Sequence, residues 1–170
     1  MYKNTKKQFS TFQFAIILIF AIIFTSCGNR VIYSSCIDIS KDGWNKDSIY
    51  KFNVEVKDTE TMYEIDLLLQ NTSDFPRQNL WLSVTKEHNG NILNSDTINI
   101  FLIDENGKWQ GRGIGAYYDN NFIYKQHIKF DKSGSYIFSI KQLMRCTNND
   151  GYYVLEGIKR IGIEIIKEKR

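Results

Sequence analysis

The 170 residues include one proline, two histidines and three cysteines, and no apolar run long enough to cross a bilayer. A membrane-spanning helix needs roughly 18–20 apolar residues. The longest uninterrupted run, Phe14 to Phe24, has eleven. No Cys-x-x-Cys or His-x-x-x-His spacing occurs, and His88 and His127 stand 39 positions apart, so the usual metal-ligand patterns are excluded. Each histidine is expected at the surface, beside a charge or a turn. A Gly-x-Ser-x-Gly elbow and a Walker motif are both missing. Without convergent titratable groups, no enzymatic activity, cofactor or metal is expected. Internal repeats and low-complexity tracts are absent too.

What is present describes one packed domain. The length suits a single core with at most an appendage. An apolar fraction of 42% with 24% charged residues excludes an intrinsically disordered chain. Aromatic residues make up 14%, which favours strands over helices. The net charge of +3 comes from Lys3, Lys6 and Lys7, because the first 26 residues hold no acid. The remainder carries nineteen basic and nineteen acidic residues, so no nucleic-acid partner is indicated.

Those three lysines, the apolar run and the small pair Thr25-Ser26 before Cys27 have the order of a secretory signal peptide. Phe24-Thr25-Ser26-Cys27 resembles the lipobox of bacterial lipoproteins, in which the cysteine at the cleavage point is acylated. Each buried methylene contributes ~0.8 kcal/mol and two chains already anchor stably, so a triacylated Cys27 would be held firmly. Gly28 to Ile37 contain no acid. The expected address is therefore the inner leaflet of an outer membrane, facing the periplasm. The expected organisation is a signal peptide over residues 1–26, lipidated Cys27 with a tether over 27–40, and a folded domain over 41–170. Cys36 and Cys146 remain. A disulfide between them would close a loop of about 110 residues, worth on the order of 4–5 kcal/mol. Two separate buried thiols fit the sequence equally.

From Ile49 onwards apolar residues recur with period two. Phe52, Val54 and Val56 form one set, and Tyr63, Ile65, Leu67 and Leu69 the next. Leu80, Leu82 and Val84 follow, then Ile98, Ile100 and Leu102. The segment from Ile123 to Phe130 continues the pattern, as do Tyr136, Phe138 and Ile140, and Ile161, Ile163 and Ile165. Each is the signature of a half-buried strand. Between them lie turn clusters such as His88-Asn-Gly-Asn91 and Asp131-Lys-Ser-Gly134. Seven or eight such strands predict an antiparallel β-sandwich of Ig-like or jelly-roll type. One short helix is expected near Lys141 to Arg145.

Surface chemistry has fewer candidates. Gly111-Arg112-Gly113-Ile114-Gly115 lacks the Lys-Ser/Thr ending of a phosphate loop. It reads as a loop whose glycines let the backbone pass close to a neighbour. Glu64 and Asp66 are expected on a solvated strand face. Trp81, Phe101 and Ile103 alternate out of phase with the core sets. They form either a covered surface or an exposed patch for a protein or a sugar ring. Trp44 and the pairs Tyr117-Tyr118 and Tyr152-Tyr153 read as core-finishing or binding aromatics.

Three segments are similar to the gliding-motility lipoprotein GldH family of Bacteroidetes. Asp74-Phe-Pro-Arg-Gln-Asn-Leu-Trp-Leu82 matches a "YPxxNL" motif with Phe75 at the Tyr position. Asp96-Thr97 followed by Leu102-Ile-Asp-Glu-Asn-Gly-Lys-Trp-Gln-Gly-Arg-Gly113 resembles the "DT…L.D.xGxWxGxG" core. Tyr136 to Arg145 and Leu155 to Ile163 resemble the C-terminal "QxMR…LxGIxDxG" pattern, with Lys159-Arg160 at the acidic position. The resemblance implies a non-enzymatic outer-membrane lipoprotein acting with other Gld envelope proteins, several of which belong to type IX secretion. A docking role would place the partner contact at Trp81, Trp109, Arg112, Gly111 and Gly113. A lipid-anchored glycan-binding module using the same aromatics is the alternative.

Overall fold

The computed structural model describes residues 30–145 and 154–169, and every regular element among them is a strand. The strands are β1 (Val31–Asp38), β2 (Trp44–Asn45), β3 (Ile49–Val56), β4 (Tyr63–Thr72), β5 (Asn79–His88) and β6 (Asn91–Phe101). They continue as β7 (Arg112–Ile114), β8 (Tyr117–Ile128), β9 (Gly134–Gln142), β10 (Val154–Leu155) and β11 (Ile158–Lys167). One sheet has the order β1-β11-β4-β8-β7, the other β3-β9-β5-β6, and β2 pairs with β10. All pairings are antiparallel. The result is an antiparallel β-sandwich.

Period-two apolar residues supply the interior from both sides. Ile65, Leu67, Ile161 and Ile163 of the five-stranded sheet meet Phe52, Val54, Leu82, Val84, Phe138 and Ile140 of the four-stranded one in a single buried cluster. Removing a side chain of this kind to Ala costs about 2–5 kcal/mol. Trp44 belongs to the same cluster, fully buried and edge-on to Tyr50. The β5–β6 hairpin turns on Asn89 and Gly90, both at positive φ, as the Asn-Gly pair requires.

Two local expectations are corrected. Lys141 and Gln142 end β9 rather than opening a helix, because Lys141 pairs with Ile49 on one side and Ser83 on the other. The backbone N–H of Leu143 then donates to the Trp81 carbonyl at 2.8 Å, which keeps the chain extended. Within the stretch read as a tether, residues 31–38 form β1, hydrogen-bonded along β11. Its inward positions are the half-buried Tyr33, Ser35 and Ile37, and the serine between the two apolar residues weakens the alternation in sequence.

The sandwich is latched where β6 and β8 approach. A register shift between Ile65 and Asp66 leaves Tyr124 as an extra residue in β8. Such a bulge turns neighbouring side chains to one side. Tyr124 donates its hydroxyl to Asp96 at 2.6 Å, and Lys125 pairs with the same carboxylate at 2.7 Å. Lys125 and Tyr124 hold the Asp96 carboxyl below its ordinary range, and burial followed by Asp96 pushes the Tyr124 phenol up.

Candidate functional site

Register places side chains from five strands in one row on the outer face of the larger sheet. Asp38 pairs with Arg160, Arg160 with Gln70, Gln70 with Asp119, and Asp119 with Arg112. Directly paired residues share a face, so the five line up across the sheet. Arg160 Nε donates to Asp38 Oδ1 at 2.7 Å, and Gln70 Nε2 donates to Asp119 Oδ1 at 2.8 Å. The Asp38 carboxylate raises the Arg160 pKa further. Arg112 ends the row on an edge strand and forms no ion pair with a described residue.

The next row runs Cys36, Gly162, Leu68, Asn121. A Cβ on Gly162 would stand 2.5 Å from the Cys36 sulfur and 2.6 Å from the Ser35 carbonyl oxygen. Glycine is therefore what lets β1 pack this closely on β11, and beside them a cleft of about 620 Å³ is bordered by Cys36, Leu68, Gln70, Asp119, Arg112 and Arg160. Burial pushes the Cys36 thiol up, with Arg160 pulling the other way. Beyond it, Asp66 sits opposite Glu164 and Ile123. Asp66 is only 3% exposed and its Oδ1 has no hydrogen-bond partner, which corrects the expectation of a solvated carboxylate. Burial drives its pKa up, with Asn121 opposing and Glu64 and Glu164 adding to the rise.

The five candidate contact residues do not converge. Arg112 faces the five-stranded cleft, whereas Trp81 lies on the outer face of the four-stranded sheet, paired with Asn99. Trp109 stacks on Tyr118 at 5.2 Å between ring centroids and 24° between planes, half-buried against the core. Gly111 and Gly113 serve close packing. A Cβ would come within 2.8 Å of Asn120 Oδ1 at the first and 2.7 Å of the Tyr118 ring at the second.

Trp81 is 41% exposed and Phe101 53%, so this patch is open rather than covered. Ile103, by contrast, is half-buried and bridges to Trp109. A cleft of about 580 Å³ beside Trp81 is lined by Arg77, Asn79, Thr97, Leu143, Met144 and Arg145. Asn79 Nδ2 donates to Asn99 Oδ1 at 2.7 Å.

His127 stands at the surface, paired with Glu168 at 2.6 Å, as a histidine beside a charge should. His88 differs from expectation. It is 8% exposed, stacked on Tyr136 with centroids 4.4 Å apart, and its Nδ1 lies 3.1 Å from the Ser135 carbonyl oxygen. Among the described residues no three His, Cys, Asp or Glu side chains are grouped to hold a metal. Cys27, Cys146, Tyr152 and Tyr153 lie outside the described residues. Sequence reasoning missed the cross-strand row, since its members are spread from position 38 to 160 and meet only through register.

Comparison with known proteins bears on the whole domain. A family model described as GldH lipoprotein matches residues 31–165. The chain is 34% identical over 160 residues to a gliding motility lipoprotein GldH homolog of Christiangramia forsetii, covering 93% of this chain and 97% of that protein. It is 28% identical over 151 residues to gliding motility lipoprotein GldH of Flavobacterium johnsoniae, covering 88% and 93%. These relatives are named for motility and for lipidation rather than for a catalysed reaction. Together with a β-sandwich that spans the matched residues, they show that the chain belongs to the GldH lipoprotein family.

Proposed function

We propose that the protein is a docking component of the gliding machinery, anchored in the outer membrane through acylated Cys27 and facing the periplasm. It acts with other Gld envelope proteins and is linked to type IX secretion. The observation that carries the docking surface is the five-strand row ending in Arg112. Its other four members are joined in two pairs, Arg160 with Asp38 and Gln70 with Asp119, while the Arg112 guanidinium has no described ion-pair partner. Arg112 therefore offers a bidentate contact to a carboxylate of a neighbouring protein. The row positions such a partner by matching charge, which sets specificity more than affinity.

A clean deletion scored for colony spreading and for bulk secretion tests this reading. Loss of both is expected. Spreading lost with secretion intact would remove the link to the exporter, and both intact would contradict the reading. For the anchor, Cys27→Ala is expected to release the protein from outer-membrane fractions. Unchanged fractionation would overturn the lipid attachment.

A further inference from the structure

We propose that the outer face of the four-stranded sheet binds an acidic polysaccharide, with Trp81 as the stacking platform and Lys141 and Arg145 as contacts for its carboxylates. This surface lies on the other sheet from Arg112, so the inference stands or falls apart from the docking reading. Trp81 is well placed to be a rigid platform. Its backbone N–H donates to Met144 Sδ at 3.2 Å and its carbonyl accepts from Leu143 at 2.8 Å. Phe101 lies diagonally beyond it on the same face, opposite Asn79.

The chemistry around the indole suits a sugar chain. Ser83, Thr85, Ser95, Thr97, Asn79 and Asn99 share this face, which makes it rich in neutral hydroxyls and amides. The Asn79–Asn99 pair uses one donor and one acceptor and still has an amide and a carbonyl for ring hydroxyls. The described residues lining the cleft include Arg145 and no carboxylate. Lys141 adjoins through its pairing with Ser83. Neither Lys141 nor Arg145 forms an ion pair with a described residue. In a chain with equal numbers of acids and bases beyond residue 26, this is a local excess of positive charge.

Strand addition by a peptide is disfavoured at this place. The backbone of β5 is already hydrogen-bonded to β6 on one side and β9 on the other. A ligand on the sheet face gains ring stacking and side-chain hydrogen bonds but no main-chain ladder. An acidic polysaccharide offers C–H faces to the indole, hydroxyls to the amides and carboxylates to the cations.

The test is affinity electrophoresis of the detergent-solubilised full chain in native gels containing polygalacturonate or, as a neutral control, dextran. Retardation by polygalacturonate and not by dextran is expected. Trp81→Ala should weaken it roughly ten-fold, which corresponds to about 1.4 kcal/mol. Trp81→Tyr keeps an aromatic platform and should retain binding, which separates lost stacking from misfolding. The double variant Lys141→Gln/Arg145→Gln should weaken binding several-fold, and Arg112→Gln should leave it unchanged. Absence of retardation, retardation indifferent to Trp81→Ala, or equal competition by poly-glutamate or oligothymidylate at matched charge would overturn the proposal.

Discussion

On the five-stranded face, charges of both signs stand in register, Asp38 against Arg160 and Asp119 against Arg112. On the four-stranded face around Trp81, the described lining residues include cations, an amide and a hydroxyl but no carboxylate. The two faces share a core and the same strand geometry, so their difference lies in the outward positions alone. Asp38 and Arg160 pair within the sheet and Asp119 accepts from Gln70, which leaves Arg112 at the end of the row for a partner and favours discrimination over tight binding. Where Lys141 and Arg145 stand without a described ion pair near an exposed indole, the surface gains most from an anionic, ring-bearing ligand. The faces also differ in depth. The five-stranded face contains Gly162 and a buried Asp66, whereas Trp81 projects from the other.

The largest predicted contrast uses this depth. Gly162→Val forces a side chain against the Ser35 backbone as well as the movable Cys36 sulfur, and is expected to destabilise the fold by about 1–3 kcal/mol. Ser83→Val alters a half-exposed position on the other face and should change stability by no more than ~0.5 kcal/mol. Urea unfolding of both variants measures the difference, and equal losses would break it.

The latch between the sheets comes next. Tyr124→Phe removes a hydroxyl donated to a carboxylate that keeps Lys125 and some solvent, and should cost about 0.5–1.5 kcal/mol. Because the Asp96 pKa is lowered in the fold, its contribution is present above the ordinary carboxylate pKa. It is lost as pH falls through the lower folded value. Asp58, held down chiefly by the Thr61 hydroxyl and then Lys167, follows the same sign. Thermal melting over roughly pH 5 to 2 should therefore show a steep loss, shallower in Asp96→Asn. An unchanged slope in that variant would remove the latch from the account.

Asp66 has the opposite sign. Its raised pKa means that the fold favours the protonated form, so stability is full below the unfolded value and declines as pH rises through the folded one. Asp66→Asn should accordingly gain on the order of 1 kcal/mol at neutral pH and flatten that part of the profile. A loss at neutral pH would show that the buried carboxylate is paired. Smallest is the effect of Arg112→Gln on stability, expected within ~0.5 kcal/mol because the residue is exposed and unpaired.

Much of the sandwich was legible because its long strands carry apolar residues with period two. Phe52, Leu67, Leu82, Phe138 and Ile163 are each buried as their spacing predicts. β1 was not, since its inward positions are Tyr33, Ser35 and Ile37, and the polar Ser35 interrupts the apolar series. The short strands β2, β7 and β10 are too brief to show a period. The candidate site was legible in pieces. Gly111 and Gly113 were read as allowing close approach, and the side chains of Asn120 and Tyr118 are what they approach. Trp81 and Arg112 were grouped by their chemistry, yet sheet membership separates them. Local sequence does not encode which of two sheets a strand joins. The burial of Asp66 escaped for a related reason, because its neighbours Glu164 and Ile123 come from distant strands.

The central claim is that the Arg112 end of the five-stranded face docks a gliding partner. It is tested most directly by placing a photo-crosslinking residue at position 112, and in a second variant at position 85, then irradiating intact cells. The account predicts adducts with gliding or type IX secretion proteins from position 112 and none of these from position 85. Such adducts from position 85 alone, or from neither position in a strain that still spreads, would contradict it.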